Sequence, residues 1–306
     1  MIRQFWLFRL ICQFTVIVLA FLVASPLVTL AFYNTAEPLA EVAVTTAEQS
    51  DVASSAMEVG RPEADYLGET PTTFSLDKPL YDFFTVSERN ERDLPTVLPV
   101  LDPYYGEKTV YLTFDDGPDS DNTPLVLAIL KSYGIKATFF MIGTQIENNQ
   151  AIVKRVYDEG HAIGNHSYNH IYRDLYQSAA AYTAQLQHTD DLIKNIIGVR
   201  PRISRAPGGS AGSFTKEYWN ILKIKGYVEV GWNVSSGDAS RAKASQLVNN
   251  IASQMEKKYL WSHAIVLMHD GRGHEETVKA LPEIIQLFKA RGFEFRIINL
   301  KTPPAW

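Results

Sequence analysis

Two neighbouring carboxylates follow the apolar segment TVYLTF: Asp115 and Asp116, within the stretch TFDDGP. Two histidines four residues apart, His166 and His170, lie in the downstream stretch HSYNH. Two histidines and one carboxylate can form a three-ligand metal site that leaves positions open for water and substrate. Because neighbouring side chains at a strand end point in different directions, one aspartate can bind a metal while the other acts as a base. These residues favour a hydrolytic metal centre.

Three further groups with chemical potential lie at the ends of later apolar segments: Arg205 in RAPGGS, Asp238 in WNVSSGDA and His269 in LMHD. Ordinary explanations also exist: Arg205 could be a surface charge, and His269 a capping or core histidine satisfied by Asp270. His166 and His170 could be solvated loop residues. The pair in DDGP could equally form a polar turn, since Asp, Gly and Pro are turn formers. The zinc-protease motif His-Glu-x-x-His is excluded, because Ser167 takes the place of the glutamate.

These groups need a scaffold that brings strand ends together. From residue 108 onward, short apolar segments alternate with longer amphipathic ones. Strands are predicted at residues 109–114, 137–142, 162–165, 202–206, 227–232, 264–268 and 294–298, with helical patterns between them. Such alternation is typical of an α/β fold with a parallel sheet covered by helices, and about seven units suggest closure into a barrel. In these folds the chemistry lies at the carboxyl ends of the strands.

The first third of the chain has a different composition. The protein has 306 residues, 46% hydrophobic and 21% charged, with a net charge of −5. Residues 1–9 are predicted to be cytoplasmic and residues 10–32 to span the membrane, because Arg3 and Arg9 precede a long apolar segment. A cleaved signal peptide, which would give a secreted protein, is the alternative. The only cysteine, Cys12, lies in that segment, so no intramolecular disulfide is expected.

Residues 33–73 are acidic and poor in aromatics, which predicts a disordered linker. Residues 74–107 regain aromatics and could either continue the linker or pack on a catalytic domain at 108–306. No basic patch with interleaved aromatics occurs, so nucleic acid is not an expected partner. The sequence indicates no obligate protein partner, and the predicted anchor makes the lipid bilayer a partner.

Five segments in this order resemble the motifs of the polysaccharide deacetylases, the NodB-homology domain of carbohydrate esterase family 4. They are TFDDGP, HSYNH, RAPGGS, WNVSSGDA and LMH, and the resemblance covers about residues 108–300. The family fold is a distorted (β/α) barrel. The resemblance implies hydrolysis of N-acetyl groups of a polysaccharide.

Carried onto this sequence, the resemblance implies that Asp116, His166 and His170 bind a divalent metal, usually zinc, with Co²⁺, Ni²⁺ or Mn²⁺ as alternatives. Asp115 would be the general base that accepts a proton from the attacking water. Arg205 would pair with Asp115 and orient it.

The remaining motifs imply the other half of the reaction. His269 would be the general acid that protonates the leaving amine, and Asp238 its charge partner. A backbone N–H of Gly208 or its neighbour would stabilise the oxyanion, and Pro207, Gly208 and Gly209 of the third motif would contact the substrate. The family often has a tyrosine where this chain has Gly208, which opens the cleft.

The fourth motif departs from the family pattern Asp-x-x-Asp-Trp, because Ser235, Asp238 and Ala239 occupy the corresponding positions. The missing tryptophan removes one wall of the usual acetyl pocket. Leu267 and Trp232 are expected to supply apolar walls instead. The departure affects the expected substrate more than the expected activity.

Two functions remain open from the sequence. The first is a membrane-anchored deacetylase acting outside the cell on N-acetylglucosamine of peptidoglycan, with chitin oligosaccharides or acetylated xylan as alternative substrates. The second is a catalytically silent glycan-binding protein of the same fold. The intact set of motif residues favours the enzyme.

Overall fold

The computed structural model describes residues 61–68 and 74–305. The strands are β1 (Asp65–Leu67), β2 (Leu80–Asp82), β3 (Thr109–Asp115), β4 (Thr138–Met141), β5 (Ala162–Asn165), β6 (Arg200–Pro201), β7 (Ile203–Ser204), β8 (Val228–Glu229), β9 (Val234–Ser235), β10 (Ala264–His269) and β11 (Glu294–Arg296). The helices are α1 (Val86–Glu91), α2 (Asn122–Tyr133), α3 (Gly143–Asn148), α4 (Gln150–Asp158), α5 (Tyr172–Leu175), α6 (Ala179–Ile197), α7 (Lys216–Ile224), α8 (Ala244–Gln254) and α9 (Glu275–Ala290). Short 3₁₀ turns occur at Asp238–Ser240 and Lys258–His263.

The central sheet is parallel and follows the order β8-β7-β5-β4-β3-β10-β9, while β11 pairs with the first half of β3. The predicted α/β alternation is therefore confirmed, and each of the seven predicted strands is present. The expected closure is only partial. The terminal strands β8 and β9 do not pair with each other in the described part of the chain, so the sheet is a curled half-barrel.

Alternation along the central strands determines which side chains face the helices and which face the concave side of the sheet. On β3, Val110, Leu112 and Phe114 belong to the main core between sheet and helices. Tyr111 belongs to a separate cluster on the concave side. Because side chains alternate with a period of two, Asp115 projects to the same side as Tyr111. The sequence pattern thus delivers a carboxylate to the concave side at the carboxyl end of the strand.

The same alternation operates on β10, which pairs with β3 along its whole length. Val266 and Met268 are part of the main core, whereas Ile265 lies on the concave side. Since side chains alternate along a strand, His269 faces the same side of the sheet as Ile265. It is directly opposite Asp115 in the strand register. Register between two neighbouring strands therefore places two candidate catalytic groups side by side.

The segment before the sheet is also folded onto it. Strand β2 pairs with β1 in parallel and with β6 in antiparallel orientation. Asp82 on β2 is fully buried and accepts hydrogen bonds from Arg89 at 2.7 and 2.8 Å. Arg202 lies 3.2 Å from the same carboxylate. These ion pairs tie residues 74–107 to the domain, and Asp65–Leu67, within the predicted linker, forms strand β1.

Among the described residues, no helix combines the length and apolar character required to cross a membrane. The predicted anchor at residues 10–32 lies outside the described part of the chain.

Candidate active site

Three predicted ligands converge at the carboxyl ends of β3 and β5. The Oδ1 atom of Asp116 lies 3.4 Å from Nε2 of His166 and 3.4 Å from Nε2 of His170. Candidate ligand atoms of the three residues all lie within 4.8 Å of one another. Oδ1 of Asp116 is buried and has no hydrogen-bond partner among the described residues. A buried carboxylate oxygen without a partner is costly, so this donor set fits a bound divalent cation.

The protein fixes the orientation of these ligands. Nδ1 of His166 lies 2.8 Å from the backbone oxygen of Arg205, which makes Nδ1 the donor and leaves the Nε2 lone pair toward Asp116. Burial alone would raise the pKa of Asp116, but the positive charges that His166, His170 and His269 carry when protonated hold that pKa well below its ordinary value. The carboxylate is thus kept in the ionised form that a metal ligand needs.

Backbone strain is concentrated at the same place. Asp116, Ser167 and His170 have φ angles of 72°, 69° and 56°, in the left-handed region that non-glycine residues seldom adopt. Each such residue costs on the order of 1–3 kcal/mol and persists only where the surrounding fold enforces it. The fold therefore maintains a destabilising backbone conformation at these residues, and this conformation orients their side chains.

The second aspartate has a different environment. Asp115 accepts a hydrogen bond from Nη1 of Arg205 at 2.9 Å, and both side chains are almost completely buried. Nη1 of Arg205 also donates to Thr113, while Nε and Nη2 donate to the backbone oxygens of Val230 and Gly231. The guanidinium also lies over a ring, with its carbon 4.2 Å from the centroid of Phe140. These contacts fix the direction of the carboxylate of Asp115.

A histidine–aspartate pair lies beside the two aspartates. Nδ1 of His269 is 2.8 Å from Oδ1 of Asp238, and the backbone N–H of His269 donates to Oδ2 at 2.7 Å. Thr277 also donates to Oδ2, at 2.8 Å. Burial alone would lower the pKa of His269, but the hydrogen bond and charge of Asp238 raise it to about 9. At neutral pH this imidazole is protonated and can donate a proton.

The glycine of TFDDGP is required by close packing. A Cβ atom on Gly117 would lie 2.6 Å from both carboxylate oxygens of Asp270. Asp270 does not serve His269, the ordinary role considered from the sequence; it accepts a hydrogen bond from Thr123 at 2.6 Å. Burial, with the charges of Asp116 and Asp115, raises the pKa of Asp270 to about 7. The sharp turn after the aspartate pair is therefore packed against a third carboxyl group.

The predicted substrate contacts follow strands β7 and β8, except for Leu267, which lies on β10. The backbone oxygen of Pro207 accepts a hydrogen bond from the hydroxyl of Tyr176, and a Cβ on Gly209 would lie 2.9 Å from the ring of Trp232. A Cβ on Gly208 would lie 2.5 Å from the hydroxyl of Tyr172. Leu267 has the parity of His269 on β10 and is 8% exposed.

Several neighbours of the site were not predicted. The ring of His274 stacks on His269 with centroids 4.8 Å apart, and the ring of Tyr172 lies 5.6 Å from that of His170. Asp238, His269 and His274 have candidate ligand atoms close together, but the three hydrogen bonds to Asp238 favour a proton-transfer pair over a second metal site. Thr113 could have been found from the sequence, because it precedes Asp115 by two positions on the same strand face.

Comparison with known proteins places this geometry in a family. A family model described as polysaccharide deacetylase matches residues 103–230. A peptidoglycan-N-acetylglucosamine deacetylase of Bacillus cereus is 34% identical over 194 residues, which cover 61% of this chain and 68% of that protein. The chain belongs to the polysaccharide deacetylase family. Other polysaccharide deacetylase relatives carry the names chitooligosaccharide deacetylase and bifunctional xylanase/deacetylase.

Solved structures of the polysaccharide deacetylase family share the fold. A carbohydrate esterase family 4 esterase from Streptococcus mutans aligns with a TM-score of 0.60 and 30% identity, covering 64% of this chain and 87% of that one. A protein of Bacillus anthracis described as a pseudoenzyme of the same family aligns with a TM-score of 0.55 and 29% identity, covering 66% of this chain and 68% of that one. Membership in the family thus supports hydrolase chemistry, while some of its members are catalytically inactive.

Proposed function

We propose that this polysaccharide deacetylase is a metal-dependent hydrolase that removes N-acetyl groups from N-acetylglucosamine units of peptidoglycan and releases acetate. We also propose that residues 10–32 anchor it in the cell membrane with the catalytic domain outside the cell. The anchor rests on the apolar segment and the preceding arginines. Chitin oligosaccharides and acetylated xylan are the competing substrates, and secretion after signal cleavage is the competing location.

The observation that carries the proposal is the unpartnered Oδ1 atom of Asp116, which faces Nε2 of both His166 and His170 at 3.4 Å. Three such ligands leave coordination positions free for water and a carbonyl oxygen. A divalent cation held there, zinc in our proposal, would lower the pKa of a water molecule and polarise the acetyl carbonyl.

The chain's own residues supply the proton transfers. Asp115, oriented by Arg205, accepts a proton from water as the water oxygen adds to the acetyl carbon. The C–N bond then breaks as the sugar nitrogen takes a proton from His269, which Asp238 keeps protonated and oriented. The products are acetate and a free amine on the sugar. An amide needs this second proton, because an unprotonated amine is a poor leaving group.

The backbone of the third motif follows β7, which pairs with β5, the strand that precedes His166 and His170. Gly208 and Gly209 have φ angles of 75° and 86°, and this backbone conformation suits glycine. Preorganised N–H donors aimed at a developing oxyanion contribute about 2.7–4 kcal/mol each in hydrolases. The backbone N–H of Gly209 already donates to the backbone oxygen of Ala206 at 2.8 Å, and Pro207 has no N–H. We therefore assign this role to the backbone N–H of Gly208.

The test is acetate release by the full-length chain, purified in detergent, from peptidoglycan, chitin oligomers and acetylated xylan, with and without added zinc. We expect release from peptidoglycan that chelation abolishes and zinc restores. Absence of release from every substrate, with binding to glycan retained, would instead favour a silent glycan-binding protein. Membrane fractionation of cells and protease accessibility of the domain test the anchor.

A matched pair of variants separates the roles of the two aspartates. Asp116→Ala is expected to lose bound metal and activity together. Asp115→Asn is expected to keep the metal and to lose about 10²-fold or more in kcat, as for a lost general base. Metal content is measured by elemental analysis of the purified protein. Loss of metal in Asp115→Asn would show that the two roles are reversed.

A further inference from the structure

A cleft of about 500 Å³ extends from the candidate active site, and its lining residues include Asp116, His269, Ala239, Arg241 and Arg272. Ala239 offers only a methyl group at this wall, so an aromatic stacking surface is missing there. The size of the cleft is sufficient for a group beyond the acetamide that reacts. The side chains that line the cleft therefore indicate which chemical group the substrate carries next to the reacting acetamide.

The two arginines of this cleft stand apart from the other arginines in the part of the chain that the structure describes. Both are exposed, and within residues 61–68 and 74–305 neither side chain donates a hydrogen bond or lies within 4.0 Å of a carboxylate. Every other described arginine has a partner within the chain, namely Arg61, Arg89, Arg92, Arg155, Arg173, Arg200, Arg202, Arg205, Arg291 and Arg296. Among the described residues, the two arginines whose guanidinium groups have no partner at all thus share one cleft.

The backbone holds Arg241 at this place. Its φ angle is 58°, in the left-handed region, and it directly follows the 3₁₀ turn that begins with Asp238. The turn that presents the carboxylate to His269 therefore also presents Arg241 to the cleft. The one carboxylate among the lining residues is Asp116, which the proposed function assigns to the cation.

The other flank of the site is aromatic. Tyr172 lies beside His170 and over Gly208, and Trp232 lies against Gly209. These residues follow β5 and β8, whereas Arg241 and Arg272 follow β9 and β10 at the other end of the strand order. The aromatic flank can stack on a neutral sugar ring. The flank with the two arginines can donate charge-assisted hydrogen bonds to an anionic group.

We propose that Arg241 and Arg272 form a subsite for a carboxylate carried by the sugar unit adjacent to the N-acetyl sugar that reacts. This inference rests on the proposed function and specifies its substrate as a glycan in which neutral and carboxylate-bearing units alternate. The planar guanidinium matches a carboxylate with two parallel hydrogen bonds. The carboxylate belongs either to an acidic ether substituent of the adjacent sugar or to a peptide attached to that substituent. Both sources present a carboxylate that an arginine can bind in the same way.

The experiment compares kcat/KM for three substrates: a neutral N-acetylglucosamine tetramer, peptidoglycan fragments with their peptides, and the same fragments after the peptides are removed to leave the sugar carboxylate. We expect the ratio of charged to neutral substrate to fall about 10-fold or more in the double variant Arg241→Gln/Arg272→Gln. Added salt should reduce the ratio in the wild type and have little effect in the variant. The fragments that respond identify the source of the carboxylate.

The matched control is Arg155→Gln, which removes an arginine paired with Glu159 on helix α4 and should leave the ratio at its wild-type value. An unchanged ratio in the double variant overturns the subsite, even if the enzyme is active. If the wild type releases acetate from none of the substrates, the proposed function fails. The subsite is then tested by calorimetric binding of the charged fragments, which the double variant should weaken about 10-fold if the subsite exists; equal binding would overturn it.

Discussion

The pair formed by His269 and Asp238 makes a prediction about pH. The pKa of His269 is raised to about 9 because, against the effect of burial, Asp238 favours the protonated ring. If His269 supplies the proton to the leaving amine, kcat/KM should fall on the alkaline side of pH 9, since the acid is then lost. In Asp238→Asn the negative charge is gone, so the pKa of His269 should return toward the ordinary value of 6.5.

The magnitude follows from the fraction of protonated imidazole. The difference between about 9 and 6.5 corresponds to about 3 kcal/mol. At pH 8 the protonated fraction falls from roughly nine tenths to a few per cent, so the variant should be about 30-fold less active. At pH 6 both proteins are largely protonated, and the loss from this cause should be less than about twofold. The alkaline limb should therefore move toward lower pH by about 2 units.

The assay is the pH profile of kcat/KM for acetate release between pH 5 and about 10, with metal content and thermal unfolding measured for each protein. Thr277→Val is the matched control, because it removes one hydrogen bond to Oδ2 of the same carboxylate and keeps its charge. Its alkaline limb should stay close to that of the wild type. An alkaline limb of Asp238→Asn within a few tenths of a pH unit of the wild type would refute the assignment of His269 as the acid.

Two further variants test the buried supports of the site, and zinc titration tests the ligand set. Arg205→Met leaves the carboxylate of Asp115 buried without its arginine partner. The free energy of unfolding, measured in urea, should fall by about 3–5 kcal/mol. A loss below about 1 kcal/mol would contradict the ion pair between Arg205 and Asp115. Gly117→Ala should lower the melting temperature and the activity, because its Cβ would overlap the carboxylate of Asp270. An unchanged melting temperature would contradict this close packing. Zinc at 100 times its dissociation constant should raise the free energy of unfolding of the wild type by about 2.7 kcal/mol. An equal increase in Asp116→Ala would argue against Asp116 as a metal ligand.

The relation between sequence and site differs from strand to strand. The aspartates of TFDDGP could be placed from the sequence, because an apolar segment of period two ends directly before them and strand ends meet at one edge of a parallel sheet. Strand β9 was not predicted, since Val234–Ser235 is only two residues long and is defined by its pairing with β10. Residues 61–68 illustrate the reverse case: their acidic, polar neighbourhood predicts a linker, but pairing with β2 makes Asp65–Leu67 a strand.

The sequence by itself determined the residue types, their order and the alternation that brings Asp115, Asp116 and His269 to the strand ends, because these depend on local periodicity and on motifs. The resemblance to the family already implied Asp238 as the partner of His269 and Arg205 as the partner of Asp115. Only the tertiary structure decided that the backbone oxygen of Arg205 orients His166, and that two arginines without a side-chain partner in the described part of the chain share one cleft. Such pairings join residues from different strands and loops, and the distances between them depend on the register and curl of the sheet, which no local pattern in the chain encodes.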